Sequence, residues 1–437
     1  MSASFTCVHR TSQNFTAALS EHLKAQMLSW ANQFSVCAFL NNHSYSDKHR
    51  SYDCLLAAGC ENYFSPSKNI LSELRSFLQQ HHDWLFGHLG YDLKNEIENL
   101  QSSYADKISF SDIFLFQPTV VITIKENNIC IESLAAEPQK IWKEITSFPI
   151  EKKQAAQHEL KIESRIKKPE YLQIIQQLKE HILRGDCYEI NFCQEFFLEN
   201  TVIHPLQVYH ALSKLSPAPF SCYYKLRDKY LLCASPERFL KKTGSTILSQ
   251  PMKGTAPRNL YDTDEDKKLK EELRASSKDR SENVMIADLV RNDLSKVCKE
   301  GSVHAEELFG VYSFPQVHQM VSTICGELRE DMTLANILHA TFPMGSMTGA
   351  PKRRVMQLIE QYEKTKRGIF SGSVGYITPD KDFDFNVVIR SIMYNALNKY
   401  VSYYAGSGIT FYSDAEKEYE ECLLKAAAME SALKQSR

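Results

Sequence analysis

The order of helix and strand signals along the chain predicts an α+β enzyme with large mixed or antiparallel sheets. Short β-branched runs, such as residues 119–124, favour strands over long helices in residues 1–150. Beyond Pro169, helices, strands and glycine turns alternate too irregularly for a doubly wound parallel sheet. With 437 residues, 43% of them hydrophobic, the chain can bury a large core.

Composition excludes several classes of protein. A net charge of -2 and a pI near 6.7 offer no general attraction to nucleic acid or to anionic membranes. The 12 cysteines are scattered and form no Cys-x-x-Cys pair, which argues against a zinc site and a disulfide framework. The N-terminus is polar, and no apolar run approaches the roughly 18 residues that span a bilayer. We therefore expect a cytoplasmic protein.

The charged segment Glu151–Lys168 is expected to be an exposed connection between two regions. A helix is predicted from Pro169, because proline suits a first turn and Gly185 provides a stop. The apolar positions of this helix recur at helical spacing: Leu172, Ile175, Leu178 and Ile182.

Near the C-terminus, a strand over Tyr400–Tyr404 precedes the glycine segment Ala405–Ile409 and a helix that starts at about Asp414. Ser413 and Glu416 have the spacing of a capping box for that helix.

Paired carboxylates suggest a metal site. On the C-terminal helix, Glu418, Glu421 and Lys425 share one face, and carboxylates suit Mg²⁺. A solvated acidic stripe is the alternative. Glu282 lies near the start of a second apolar helix, over residues 277–294, where it either stabilises the helix dipole or adds a metal ligand.

Three further residues could carry chemistry. Lys253 stands beside a glycine in a segment flanked by prolines, where an amine can act on a substrate. Glu237 follows a strand-like apolar run and, if partly desolvated, could hold its proton and act as a general acid, although a surface turn is the alternative. Arg390 ends the apolar strand 387–389 and could clamp a carboxylate. A glycine-rich loop, residues 341–352, could offer backbone amides to an anion.

An ordered series of motifs resembles that of the chorismate-utilising enzymes and covers essentially all of residues 169–432. The segments are Gly185–Phe192, Ala234–Phe239, Pro251–Thr255, Glu282–Leu294, Thr348–Lys352, Ala405–Ile409 and Glu418–Lys425, with Trp84–Asp92 in the N-terminal region. Each motif alone is weak, but the ordered set is specific. The resemblance implies an anthranilate-synthase-component-I-like α+β fold: two large antiparallel β-sheets packed as a sandwich with helices on the outside. Residues 1–150 would form the family's N-terminal region and residues 160–435 its chorismate-binding catalytic domain, intertwined in one sandwich.

Within the family pattern, lysine before Gly-Thr, here Lys253, is typical of the aminodeoxychorismate synthase branch, whereas anthranilate synthase has a small residue. The resemblance implies Mg²⁺-dependent amination of chorismate to 4-amino-4-deoxychorismate, for 4-aminobenzoate and folate synthesis. In that chemistry the metal draws electron density through the ring carboxylate, Glu237 protonates the leaving C4 hydroxyl, and the neutral amine of Lys253 attacks C2. Ammonia then enters at C4 and expels the lysine. The pKa of Lys253 would have to be lowered.

Other roles come from the same resemblance. Glu282 and Glu421 are the implied Mg²⁺ ligands, with Glu418 as a third or water-mediated contact. The implied substrate-binding residues are Arg390, Gly406, Gly408, His318, Lys425, Thr255 and Thr348. Two positions depart from the pattern: Phe370 replaces a tyrosine, and Glu189 replaces a common glutamine. Neither change is expected to touch the acid, the nucleophile or the metal ligands.

No glutaminase signature is present, so the resemblance implies a separate glutamine amidotransferase subunit that supplies ammonia. No lyase domain is evident, so release of pyruvate would need another enzyme. Three alternatives stay open: an anthranilate synthase component I that carries lysine, a salicylate or isochorismate synthase, and an inactive regulatory subunit. The intact set of acid, lysine and carboxylates argues against the last.

Overall fold

The computed structural model describes residues 9–150, 160–314 and 317–436. Its strands are β1 Thr11–Thr16, β2 Val36–Asn41, β3 Cys54–Ala58, β4 Asn62–Phe64, β5 Leu85–Leu89, β6 Ile113–Gln117, β7 Val120–Lys125, β8 Asn128–Ser133, β9 Glu163–Ser164, β10 Glu189–Leu198, β11 Phe220–Leu226, β12 Lys229–Ser235, β13 Arg238–Thr243, β14 Thr246–Gln250, β15 Met252–Pro257, β16 His304–Ser313, β17 Val317–Glu327, β18 Gly349–Ala350, β19 Ser373–Ile377, β20 Phe383–Asn386, β21 Ser391–Asn395 and β22 Tyr400–Ile409. The α-helices are α1 Glu21–Ala31, α2 Ile70–Gln80, α3 Lys94–Ile97, α4 Pro138–Thr146, α5 Lys168–Leu183, α6 Pro205–Leu215, α7 Thr263–Ala275, α8 Ser277–Ser295, α9 Leu334–Thr341, α10 Lys352–Tyr362 and α11 Ala415–Gln435.

The strands form two large sheets. The first has 12 strands in the order β1-β8-β7-β3-β2-β11-β12-β21-β22-β10-β18, with β9 beside β10. The second has 10 strands in the order β15-β17-β14-β13-β20-β19-β5-β6-β4, with β16 beside β17. Neighbouring strands run antiparallel, as between β10 and β22 or β5 and β19. The predicted α+β class is confirmed.

The first sheet buries both of its faces. Because successive side chains of a strand point to opposite faces, Val36 and Ala38 of β2 join a core that also contains Phe86 of the second sheet. Cys37 and Phe39 join a separate core that is shared with α1, α5, α6 and α11. The two sheets therefore stack around one core, and helices cover the outer face of the first sheet, which is the predicted sandwich.

Strands from residues 1–150 are inserted into both sheets. In the first sheet β2 pairs with β11, and in the second β5 pairs with β19. Much of the predicted connection, residues 151–159, lies outside the described residues. No helix in the described part of the chain combines the length and apolarity needed to cross a membrane.

Local predictions were accurate for helices and less so for their ends. The helix α5 has Pro169 in its first turn and ends just before Gly185, which adopts a φ of +83°. For α11 the predicted cap was wrong: Asp414, not Ser413, accepts the Lys417 amide at 3.1 Å. The Ser413 hydroxyl instead accepts the Thr410 amide. The strand predicted over Tyr400–Tyr404 is longer than expected, because β22 continues through the glycine segment to Ile409.

Candidate active site

Lys253 projects from the edge strand of the second sheet towards the first sheet. It lies where the register of β15 with β17 shifts between Met252 and Thr255, and the next residue, Gly254, has a φ of +96°. Its Nζ donates to Oε1 of Glu189 at 2.5 Å, and the lysine side chain is 15% exposed. Glu189 begins β10 of the first sheet. The proposed nucleophile therefore bridges the two sheets.

A glycine of β22 makes room for this pair. Gly408 lies opposite Asn191 of β10. A Cβ at Gly408 would lie 1.9 Å from the Lys253 nitrogen and 2.5 Å from the Glu189 carboxylate. The backbone of Gly408 thus faces the lysine, and its predicted approach to the substrate stays a prediction.

Glu189 corrects one expectation. Its replacement of a glutamine was expected to leave the nucleophile untouched, yet its carboxylate is the direct partner of Lys253. The sequence offered one signal: a carboxylate at a strand position that is otherwise flanked by apolar residues. Phe370, the other departure, is buried and stacks on Tyr404 with ring centroids 4.7 Å apart.

The charge on Lys253 is set by opposing influences. Burial lowers its pKa, but Glu189 and, at longer range, Glu282 and Glu421 outweigh burial, so the net pKa of Lys253 is raised. The raised pKa favours the ammonium form of the Lys253 side chain. This differs from the lowered pKa that was expected for the state beside a bound metal.

Glu237 has the environment of a general acid. It lies between β12 and β13, is 4% exposed, and accepts a hydrogen bond from the Ser346 hydroxyl at 2.5 Å. Burial raises the pKa of Glu237 to about 7, against the smaller opposing effects of Ser346 and Lys253. A carboxyl group with this pKa can hold a proton near neutral pH and release it to a leaving group.

The glycine-rich loop supports this acid. Ser346 lies in the short 3₁₀ turn Gly345–Met347, and the side-chain Nδ2 of Asn191 donates to the Ser346 carbonyl at 2.8 Å. The sequence analysis did not identify Ser346, because a serine among glycines is typical of an ordinary loop. Thr348 does not present its hydroxyl to the Lys253 side chain, since it donates to the Met344 carbonyl at 3.1 Å.

Arg390 does not end a strand, contrary to prediction. It lies in the connection between β20 and β21 with a φ of +49°. Burial lowers the pKa of its guanidinium, and no carboxylate within the described residues pairs with it. Arg390 lines a small cavity together with Pro236 and Gln319, and Gln319 donates to the Gly254 carbonyl at 3.2 Å. A half-buried guanidinium that no described carboxylate pairs with is suited to a substrate carboxylate.

The predicted metal ligands come from two helices. Glu282 of α8 has only a long ion pair with Lys278, at 3.9 Å, and no hydrogen-bond donor to its carboxylate among the described residues. Burial raises the pKa of Glu282, with Lys253 opposing. The charge of Lys278 lowers the pKa of Glu421 of α11 as well as that of Glu282. The carboxylates of Glu282 and Glu421 therefore face a common region. A partly buried carboxylate without a donor fits a cation.

Glu421 and Glu418 complete the predicted set. Glu421 pairs with Lys425 at 2.7 Å, and Lys425 also donates to the Gly406 carbonyl at 3.1 Å. Glu418 is buried on the same helix. No three metal-ligating side chains are gathered at one point in the described ranges. This donor set suits Mg²⁺, which commonly takes one or two protein carboxylates and completes its shell with water and substrate oxygens.

Two residues that were predicted to bind the substrate, His318 and Thr255, are not part of the ion pair between Lys253 and Glu189. Both ring nitrogens of His318 have partners, Ser313 at 2.9 Å and Asp266 at 3.1 Å. Thr255 of β15 is exposed and pairs with Gln319 of β17. Substrate contacts by these two residues stay predictions.

The sandwich fold, the buried carboxyl group of Glu237 and the paired Lys253 together have the character of an enzyme active site. A family model described as "chorismate binding enzyme" matches residues 40–431. The chain belongs to this family, which confirms the resemblance drawn from the motifs.

Individual relatives point in the same direction. "Aminodeoxychorismate synthase component 1" of Bacillus subtilis (strain 168) is 31% identical over 377 residues, 80% of this chain and 77% of that protein. "Probable aminodeoxychorismate synthase, chloroplastic" of Oryza sativa subsp. japonica is 42% identical over 264 residues, 60% of this chain. The aligned part is only 29% of the rice protein, so this chain spans about a third of that relative's length.

The fold has counterparts among solved structures. Anthranilate synthase component I from Streptococcus pneumoniae TIGR4 matches with a TM-score of 0.75, covering 88% of this chain and 95% of that one at 24% identity. At this identity the likeness concerns the fold.

Proposed function

We propose that this enzyme aminates chorismate at C4 to give 4-amino-4-deoxychorismate. The observation that carries the proposal is Lys253: an amine stands at the position that distinguishes the aminating branch, and it faces the glycine backbone of Gly408. The Bacillus relative named as an aminodeoxychorismate synthase component supports the same activity. The product would serve 4-aminobenzoate and folate synthesis.

Each part of the site has a chemical task. Arg390 binds a substrate carboxylate through its planar fork. Glu237, whose pKa is about 7, donates its proton to the C4 hydroxyl as that group leaves. The Lys253 amine adds at C2, and ammonia then adds at C4 while the bond to lysine breaks. The backbone of Gly408 lets the substrate ring approach closely, whereas a Cβ at Gly406 would meet the Phe192 carbonyl oxygen of β10.

We assign Glu282 and Glu421 as the residues that would hold Mg²⁺, with Glu418 as a third or water-mediated contact. The bound ion would withdraw electron density through the ring carboxylate and so favour loss of the C4 hydroxyl. The Glu282 carboxylate supports this assignment, because its ion pair with Lys278 is long, at 3.9 Å.

Ammonia would come from a separate glutamine amidotransferase subunit. The name "component 1" of the Bacillus relative supports a second component. Release of pyruvate to form 4-aminobenzoate would fall to another enzyme. We place the reaction in the cytoplasm on the basis of the scattered cysteines, which are free wherever the structure describes them.

Product identification tests the proposal. The purified chain is incubated with chorismate, MgCl₂ and ammonium chloride, and the product is identified by mass and chromatography. We expect 4-amino-4-deoxychorismate, formed only when ammonium is present. Anthranilate would instead identify an anthranilate synthase, and isochorismate or salicylate formed without ammonium would identify those activities. Chorismate binding without turnover would indicate an inactive subunit.

Lys253→Ala provides the matched variant. We expect loss of most C4 amination, because no nucleophile remains, or a drift towards the chemistry of relatives with alanine there. Lys242→Ala is the control, since Lys242 is an ion-paired lysine of β13 that contacts Asp382. Wild-type rates in Lys253→Ala would refute the role of the lysine.

A further inference from the structure

The contact between Lys253 and Glu189 is short and joins the two sheets. Their 2.5 Å hydrogen bond joins residues 64 positions apart in the chain. The Glu189 side chain is 3% exposed, so solvent has little access to it. Glu189 is therefore the nearest base that can receive a proton from the lysine nitrogen.

The second oxygen of Glu189 has no partner. Oε2 is buried and accepts no hydrogen bond from any described residue. The carboxylate depends on Lys253 for its stabilising contact. A buried carboxylate that loses its cationic partner is strongly destabilised unless it takes up a proton.

We infer that Glu189 is the base that accepts the Lys253 proton and orients the freed amine towards the substrate. This role rests on the proposed function, because it concerns the attack of Lys253 on chorismate. A glutamine there could position the lysine, but it could not take the proton at neutral pH.

The atoms and electrons of this step balance. One proton passes from Nζ of Lys253 to the Glu189 carboxylate, which leaves a neutral amine and a neutral carboxylic acid. The nitrogen lone pair forms the bond to C2, the two ring double bonds shift, and the bond from C4 to oxygen breaks. The proton of Glu237 goes to that oxygen, which departs as water.

Other charged groups act on the same lysine. Glu282 and Glu421 raise the pKa of Lys253 from a longer range than Glu189 does. The charge of Lys253 in turn lowers the pKa of Glu237. Lys425 is paired with Glu421. Glu189 alone among these carboxylates is hydrogen-bonded to Lys253 within the described residues.

Glu189→Gln keeps the size and the acceptor oxygen but removes the base. At pH 7 we expect kcat to fall by on the order of a hundredfold, the lower end for loss of a general base, with KM for chorismate changed less than about threefold. As the pH rises towards 9, solvent can remove the lysine proton, so the ratio of the variant kcat to the wild-type kcat at the same pH should rise towards one; the ionisation of Glu237 lowers kcat of both proteins and leaves this ratio unchanged. Loss of a purely structural contact would not be rescued by pH.

Glu195→Gln is the matched control. Glu195 lies on the same strand, is 4% exposed, and is ion-paired with Arg165 at 2.8 Å, away from Lys253. This variant should keep the wild-type pH profile even if its melting temperature falls. If Glu189→Gln keeps the wild-type kcat and pH profile, or is low at every pH, the inference is overturned.

A measurement without substrate tests the contact itself. Acetic anhydride labelling of Lys253 at pH 8, quantified by peptide mass spectrometry, should be faster in Glu189→Gln than in wild type, because the variant no longer stabilises the ammonium. Equal rates would overturn the inference. A wild-type protein that makes no 4-amino-4-deoxychorismate but shows this labelling difference would refute the proposed function and leave the ion pair standing.

Discussion

At the scale of single residues, Glu237 shows how burial prepares a carboxyl group for acid catalysis. The side chain is held between two strands with one hydroxyl donor, Ser346, and its pKa is raised to about 7. The proposed acid therefore acts in its protonated form, and its contribution should fall as the pH rises through about 7.

Glu237→Gln tests this role. We expect kcat to drop by on the order of 10² or more below pH 7, since the amide cannot donate a proton to the leaving oxygen. The control is a wild-type profile of kcat against pH, which should decline above about 7. An unchanged kcat in the variant would contradict the assignment.

The same variant has a predicted effect on stability. A carboxyl group with a raised folded-state pKa stabilises the fold when protonated, and this contribution is lost as the pH rises from the unfolded value, 4.5, to about 7. Once Glu237 is fully ionised, the free energy of unfolding is lower by about 3 kcal/mol, since each pKa unit corresponds to roughly 1.4 kcal/mol. Glu237→Gln should therefore gain in melting temperature relative to wild type at pH 8 but not at pH 4.5.

At the scale of elements, the pairing of β10 with β22 sets the geometry of the site. Two glycines of β22 face different neighbours. A Cβ at Gly408 would meet the Lys253 amine, whereas a Cβ at Gly406 would lie 2.0 Å from the Phe192 carbonyl oxygen of β10. One glycine thus makes room for catalysis and the other for strand pairing.

Alanine at each glycine should separate these roles. Gly408→Ala should lower kcat by on the order of 10², because a shift of about 1 Å misplaces the nucleophile, while the melting temperature changes little. Gly406→Ala should chiefly lower the melting temperature, since the collision is with backbone. Thermal melts beside steady-state kinetics make the comparison. Similar losses of kcat and stability in both variants would contradict it.

At the scale of the whole molecule, the two regions of the sequence share both sheets. Removing residues 1–150 would leave β11 without its neighbouring strand β2, and β19 without its neighbouring strand β5. It would also open the core between the sheets, to which Val36 and Phe86 contribute. Exposed edges and core of this kind favour aggregation over folding.

We therefore expect a fragment of residues 160–437 not to fold alone, and the intact chain to unfold as one cooperative unit. Size-exclusion chromatography and circular dichroism melts of the fragment and the intact chain provide the comparison. A monomeric fragment with its own cooperative melt would show that the regions fold independently.

Local signals in the sequence predicted the elements well. Proline and glycine at its two ends delimited α5, because both residues act on the backbone of their own segment. The cap of α11 was missed since Ser413 and Asp414 are both good caps, and the Ser413 hydroxyl serves the Thr410 amide instead. The loop position of Arg390 was missed because its apolar run resembles a strand.

The sequence by itself determined the fold class, the family and the side chains that carry the proposed chemistry, Lys253 and Glu237 foremost. Only the tertiary structure decided what those side chains touch. Lys253 belongs to the second sheet and Glu189 to the first, and Ser346 reaches Glu237 across 109 positions. Such contacts depend on how two sheets stack, and residue spacing along one strand or helix carries no information about that stacking.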